Sequence, residues 1–403
     1  MTLQPHPRLY AGQAHIDRLR RIPRSALLKQ ARQTLLDTVD DYLPSPCFEW
    51  KLNTHNAHLL RARRMQIRVL SLLVAWRMTA EERYRQAAVD HVLEMGTWQY
   101  WSWITWRQDN ADPLAIFDLS YGENSATLAI AWDWLVDTLT PNQRRAFINI
   151  ARSRSLRPFL AHTGRKDAAH WFGRPDSNWN TVCAGGAGML ALSMYEELGE
   201  ARRALPRVER SFIPYMKELR ATDGGWTEGI GYWNYGMRYA FMYLLSHEQA
   251  TGRHHPLLRQ KATGQTLDFP LDLAPHGISC GFGDANNWKP MPFHYAAAVQ
   301  LGRDDLIARL DALLAARGVR DSGWPDVAEL LLFHPRRTNK AGKPQKPARK
   351  LYRGMDWGVL ADRLPNPRIY ASIRGGTTEV PHGHRDLLSF WGVVGDEAMI
   401  ENL

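Results

Sequence analysis

From about residue 14 to residue 335 the apolar positions recur at steps of three and four. Met65, Val69, Leu70, Leu72, Leu73 and Trp76 form one such stripe, Leu128, Ala131, Trp132 and Leu135 a second, and Phe241, Leu244 and Leu245 a third. That spacing puts each set on one side of a helix, so the region predicts a run of about ten to thirteen amphipathic helices joined by short turns. Thr140-Pro141 marks a helix start, and Gly199 and Gly252 predict helix ends. Sustained apolar-polar alternation is scarce here and no fixed repeat length emerges, which favours a bundle or a ring of helices over a solenoid.

The pattern changes after a run rich in Lys, Arg, Pro and Gly between Arg336 and Lys350. Leu351–Leu360, Arg368–Arg374, Leu388–Val394 and Glu397–Ile400 are short, β-branched or aromatic, and punctuated by glycine. They predict consecutive strands. The organisation expected is therefore a helical domain over residues 1–338, a basic linker over 339–350, and a β domain over 351–403. That domain ends just after its last strand and leaves an open sheet edge, as a truncated domain would.

Composition narrows the function classes. With 44% hydrophobic and 23% charged residues the chain reads as an ordinary globular protein able to bury a large core. Its net charge of +10 suits an acidic partner, and the basic residues are scattered along amphipathic segments instead of forming a nucleic-acid patch. Cys47, Cys183 and Cys280 are widely spaced with no CxxC pair, which argues against a disulfide framework or thiolate zinc. The N-terminal residues lack the charged start and apolar run of a secretory signal, and no stretch is long enough to span a membrane. The sequence as written reads as cytoplasmic, or periplasmic were a leader to precede it.

Three segments carry candidate chemistry. Asp223 to Gly236 packs four aromatics and five glycines into fourteen residues. Glycines allow close backbone approach, and Trp226, Tyr232, Trp233 and Tyr235 offer flat faces of the kind that hold sugar rings. If a helix begins near Gly229, Glu228, Tyr232 and Tyr235 share a side of it. In the second segment, Asn178 and Asn180 flank Trp179 at a predicted helix start; one asparagine can serve as a cap, and two amides can donate to a carboxylate. The third is Pro381-His-Gly-His-Arg-Asp386. On an extended strand His382, His384 and Asp386 would face one way, able to bind a metal or move protons.

Together these segments resemble the heparinase II/III-like polysaccharide lyases. The resemblance rests on Asn178-Trp179-Asn180 followed by Gly185-Gly186, on Asp223-Gly-Gly-Trp-Thr-Glu-Gly leading to Tyr232, on Phe282-Gly-Asp284, and on His382-Gly-His384-Arg-Asp386 running into Ser389-Phe390. Their order is that of the family, and the opening His6-Pro-Arg-Leu-Tyr10 is similar to the start of its helical domain. The resemblance implies a mainly α fold, an incomplete (α/α) toroid joined to an antiparallel β-sandwich, with a substrate groove between them.

It also implies β-elimination on a uronic-acid polysaccharide, which leaves an unsaturated uronate. By resemblance Asn178 neutralises the substrate carboxylate with Asn180 as helper, Tyr232 is the catalytic tyrosine, and His382 is a base or lowers the tyrosine pKa together with Arg238. Trp179, Glu228, Trp233 and Tyr235 would line the substrate. The chemistry requires no cofactor; some members hold a structural zinc, for which His384 falls where one ligand is expected. Two departures stand out: Glu401-Asn402 occupies the place of a usual aspartate, and Trp179 the place of a histidine found in many relatives. The competing readings are an inverting glycoside hydrolase using Glu228 and Asp284, and a non-catalytic glycan-binding or biosynthetic accessory protein. The expected partner is an acidic polysaccharide, not nucleic acid.

Overall fold

The computed structural model describes residues 1–44, 57–102, 118–164, 169–284, 288–336 and 346–401. Cys47, most of the expected linker, and Asn402 and Leu403 lie outside them. Ten helices come first: α1 (Gln13–Leu19), α2 (Ala26–Thr38), α3 (Ala57–Thr79), α4 (Glu82–Thr97), α5 (Leu119–Leu135), α6 (Pro141–Ile150), α7 (Arg157–Thr163), α8 (Asn178–Ser193), α9 (Gly199–Ala221) and α10 (Ile230–Thr251). Two one-turn pieces, α11 (Lys261–Gln265) and α12 (Phe269–Asp272), precede α13 (Phe293–Gln300), α14 (Ile307–Arg317) and α15 (Asp326–Phe333). Leaving aside those two pieces, thirteen helices of seven residues or more are described, in agreement with the periodicity.

Six helices form an inner ring whose contacts run from α3 through α5, α8, α10, α13 and α15 back to α3. Inner helices must be apolar on every side, and α5 is buried along its whole length. Helices α2, α4 and α9 pack outside the ring against α3 and α8. The inner pair α5 and α8 meets at Gly122 and Gly186, where a Cβ on either would collide with the backbone of the other helix. These two glycines set the distance at which α8 lies, and so where its N-terminus emerges.

Local chemistry fixes the helix ends. The Thr140 hydroxyl accepts from the Gln143 N–H while Gln143 reaches back to the Thr140 N–H, a complete capping box with Pro141 next to it. Gly229, at φ 88°, precedes α10, and Gly252, at φ 66°, closes it in the left-handed conformation. Gly199 differs from expectation: it opens α9, and Leu198 is the residue before the helix.

The β domain is one antiparallel sheet in the order β1 (Lys346–Tyr352), β2 (Trp357–Leu364), β3 (Ile369–Arg374), β4 (Phe390–Val394) and β5 (Glu397–Ile400). Two expectations are corrected. Residues 346–350, expected as linker, belong to β1, and the single strand expected over 351–360 is a hairpin that turns through Gly354 at φ 79°. Tyr352, Val359, Tyr370, Trp391 and Val393 face the helices, and the Tyr352 hydroxyl donates to Asp272 Oδ2 at 2.7 Å. Leu360, Ile369, Ile373, Phe390 and Val394 lie exposed on the sheet.

Replacing Gly186 by Ala should destabilise the protein by at least about 2 kcal/mol, because backbone on the facing helix cannot yield as a side chain can. Denaturant titration measures this; an unchanged midpoint would contradict the packing described.

Candidate functional site

The site is built where the N-termini of α8 and α10 meet a loop of the β domain. Ser177 caps α8, its hydroxyl accepting the Trp179 N–H at 3.3 Å. The next residue, Asn178, gives its backbone N–H to Glu228 Oε2 at 2.9 Å. That same oxygen accepts the Trp226 Nε1–H at 3.0 Å. Glu228 thus has one oxygen pinned by two donors, while Oε1 lies 4.0 Å from His382 Nε2. Burial raises the Glu228 pKa to about 8, against the opposing pull of these two N–H groups.

Tyr232, on the first turn of α10, stacks on His382 with ring centroids 3.8 Å apart and planes 13° from parallel. Burial, followed by the nearby charges of Asp284 and Glu228, pushes its phenol up to about 12, with Arg63 pulling the other way. The tyrosine is therefore protonated near neutrality. His382 Nδ1 lies 2.8 Å from Asp284 Oδ2, and His384 Nε2 lies 2.8 Å from Asp284 Oδ1. These contacts hold the Asp284 carboxyl below its usual range, His384 contributing most. Gly283, at φ 69°, lets this loop approach closely; a Cβ there would sit 2.7 Å from the His382 carbonyl oxygen.

Asn178, Glu228, His382 and Tyr232 are thus joined in one chain of contacts through a single carboxyl group. The Asn178 side chain is buried, and neither its Oδ1 nor its Nδ2 has a hydrogen-bond partner among the described residues. An unpaired buried amide is costly, and a ligand carboxylate would supply the acceptor that Nδ2 lacks. Trp179 is half-buried, edge-on to His170 at 5.1 Å.

Other residues expected at the site belong to the core. Trp226 and Trp233 are fully buried, and the Trp233 indole donates to Thr266 Oγ1 at 2.7 Å. Tyr235 is buried with its hydroxyl on Glu123, so it does not pair with Tyr232 over a shared ligand. Asn180 donates to the carbonyls of Arg174 and Ser211 at 2.7 and 2.9 Å, tying α8 to α9. Arg238 is fully buried in an ion pair with Glu329, and the cation whose field reaches Tyr232 is Arg63 instead. Arg63 lies over the rings of Tyr235 at 4.9 Å and Trp324 at 4.3 Å, with Nε 3.1 Å from Glu123. Among the many arginines of amphipathic helices nothing in the sequence singled it out. Its partner did leave a signal: Glu123 and Asp133 are the two charged residues of α5, a helix otherwise made of apolar and neutral polar side chains.

The histidine segment is a loop, not a strand. His382 has φ 58° and Leu388 φ 65°, so side chains do not alternate across it. Asp386 pairs with the buried Arg374, whose Nη1 also donates to the His384 carbonyl at 3.1 Å. Among the described residues His384 contacts Asp284 and Asp386 pairs with Arg374, while Asn402, beside the place of the family's usual aspartate, lies outside them. The group of described residues whose ligand atoms do converge is Glu209, His247 and His255, on α9, α10 and the loop that follows.

No protein-family model matches the chain, and no curated protein matches it. Solved structures do. A heparan sulfate lyase HepC mutant from Pedobacter heparinus superposes with a TM-score of 0.55 at 12% identity, covering 94% of this chain and 56% of that one. A heparinase III gives 0.56 at 8% identity, covering 93% and 65%. The heparinase III BT4657 gene product gives 0.53 at 13% identity, covering 95% and 57%. The fold is that of the heparinase III lyases. The chain spans between 56% and 65% of the length of those structures.

Within the heparinase-like fold the groups around Glu228 lie at one end of α10. A cavity of about 690 Å³ opens near its other end, lined by Tyr10, Arg18, Glu248, Arg253 and Asp304 among others, and none of the expected site residues reaches it. The unpaired Asn178 amide and the shifted Glu228, Tyr232 and Asp284 groups all lie at the Glu228 end. No described helix is long and apolar enough to cross a membrane.

Glu228 makes a pH-dependent contribution to stability. Its folded pKa, about 8, lies above the ordinary 4.5, so its stabilising effect is full below about pH 4.5 and is lost as pH rises through 8. Relative to Glu228→Gln, the unmutated protein should lose stability between pH 5 and pH 9. Parallel stability curves for the two proteins over that range would contradict the assigned burial.

Proposed function

We propose that this chain is a polysaccharide lyase that cleaves a uronic-acid-containing glycan by β-elimination. The observation that carries the reading is the Tyr232–His382 stack set beside the Glu228 carboxyl and the unpaired Asn178 amide. The reaction must withdraw charge from the carboxylate on sugar C5, remove the C5 proton, and protonate the oxygen leaving C4. Asn178 donates to the substrate carboxylate, and Glu228, neutral at ordinary pH, adds no repelling charge beside it. His382 accepts the C5 proton through Nε2. The electrons of that C–H bond form the C4–C5 double bond as the C4–O bond breaks, and the leaving oxygen takes a proton from the Tyr232 hydroxyl.

The high pKa of Tyr232 supports its role as the acid: a phenol held near 12 is a donor at neutral pH and a poor source of phenolate. The net charge of +10 agrees with an acidic polymer. An inverting hydrolase is the second reading, because Glu228 and Asp284 have pKa values pushed in opposite directions on either side of the His382 ring, as an acid and a base would.

The test is incubation with heparan, chondroitin, hyaluronan, alginate, oligogalacturonan and bacterial exopolysaccharides, followed by ultraviolet absorbance of unsaturated uronate. With the glycan that reacts, Tyr232→Phe should lower kcat by at least about 10²-fold while leaving glycan affinity in place. A Tyr232→Phe variant of undiminished rate would remove the tyrosine from the chemistry.

A further inference from the structure

We propose that Asp284 is a positioning residue that fixes the tautomer of His382, holding the proton on Nδ1 and leaving the Nε2 lone pair toward Glu228. In its bearing on catalysis this rests on the lyase reading; the tautomer itself does not. Asp284 grips His382 at two points. Its carboxylate oxygen Oδ2 lies 2.8 Å from the ring Nδ1, and its backbone N–H donates to the His382 carbonyl at 3.3 Å. The second carboxylate oxygen is held by His384 Nε2 at 2.8 Å, which stops the carboxyl from rotating away.

An ionised carboxylate can only accept hydrogen bonds, so each ring nitrogen facing it carries a hydrogen. A neutral imidazole has one N–H. With that hydrogen on Nδ1, the other nitrogen of His382 is an acceptor, and it is the nitrogen 4.0 Å from Glu228 Oε1. The stack on Tyr232 then sets the plane of the ring. Free imidazole side chains favour the opposite tautomer, so the carboxylate reverses the default. His382 also sits at φ 58°, a conformation that holds only where the surroundings enforce it, and the Gly283–Asp284 clamp is such a restraint.

The same arrangement gives a role to Phe282-Gly283-Asp284 that is independent of substrate contact. This loop belongs to the helical domain, and His382 belongs to the β domain. Asp284 therefore places a group from one domain against Tyr232 from the other, and the base is competent only when the two are docked.

The experiment is long-range ¹H–¹⁵N spectroscopy of the protein labelled in its histidine rings, at a pH where His382 is neutral, with a His382→Ala variant to assign its signals. The proton is expected on Nδ1 in the unmutated protein and predominantly on Nε2 in Asp284→Ala. His384→Ala should keep the Nδ1 proton, since Asp284 remains. Asp284 is about half exposed, so its removal should lower Tm only slightly and the comparison is between folded proteins. With a glycan that is turned over, Asp284→Ala should lower kcat about 10²-fold with a smaller change in KM. An unchanged tautomer in Asp284→Ala, or an Nε2 proton in the unmutated protein, overturns the proposal. If the tautomer moves as expected and no glycan yields unsaturated product, the positioning role stands and the lyase reading falls.

Discussion

The buried carboxyl of Glu228 is the constraint on which the rest of the site depends. A carboxyl taken out of water is costly unless it is neutral or well bonded, and this one is satisfied by the first N–H of α8 and by the Trp226 indole. Both partners are backbone or core groups whose positions follow from the inner ring. The contact of α5 with α8 through Gly122 and Gly186 fixes where α8 begins, and the turn through Gly229 fixes where α10 begins. Glu228 joins those two starts and leaves its other oxygen toward the β domain.

That geometry explains why the catalytic candidates come from three distant stretches of sequence. Asn178 and Tyr232 are brought together by inner helices, and His382 arrives on a loop of the sheet. The sheet is anchored by Tyr352 and Tyr370, whose hydroxyls both bond Asp272. Docking of the β domain is thus part of the site, because the Tyr232–His382 stack crosses the boundary.

Much of this was legible in the sequence. Three- and four-residue periodicity located the helices, and Thr140-Pro141 marked a start that the capping box fulfils. Asn178, Glu228, Tyr232 and His382 were each singled out, and the structure brings all four together. The errors have a common physical origin. Glycine-rich aromatic composition reads as a surface, yet α10 is surrounded on all sides, so Trp233 and Tyr235 pack inward and only Tyr232 reaches the edge. Arg238 and Glu329 are far apart in sequence, and their pairing is set by how the ring closes. The alternation read into His382, His384 and Asp386 assumed extended backbone, which the positive φ of His382 breaks. Arg63 carried no local signal, because its importance comes from what lies across the ring from it.

Elimination and hydrolysis at these groups leave product ends of different mass. Cleavage of a uronic-acid glycan by the unmutated chain should yield a new non-reducing end lighter by one water than the hydrolytic product, with the double bond between C4 and C5. Product ends carrying the full mass of added water would contradict elimination and assign Glu228 and Asp284 to hydrolysis instead.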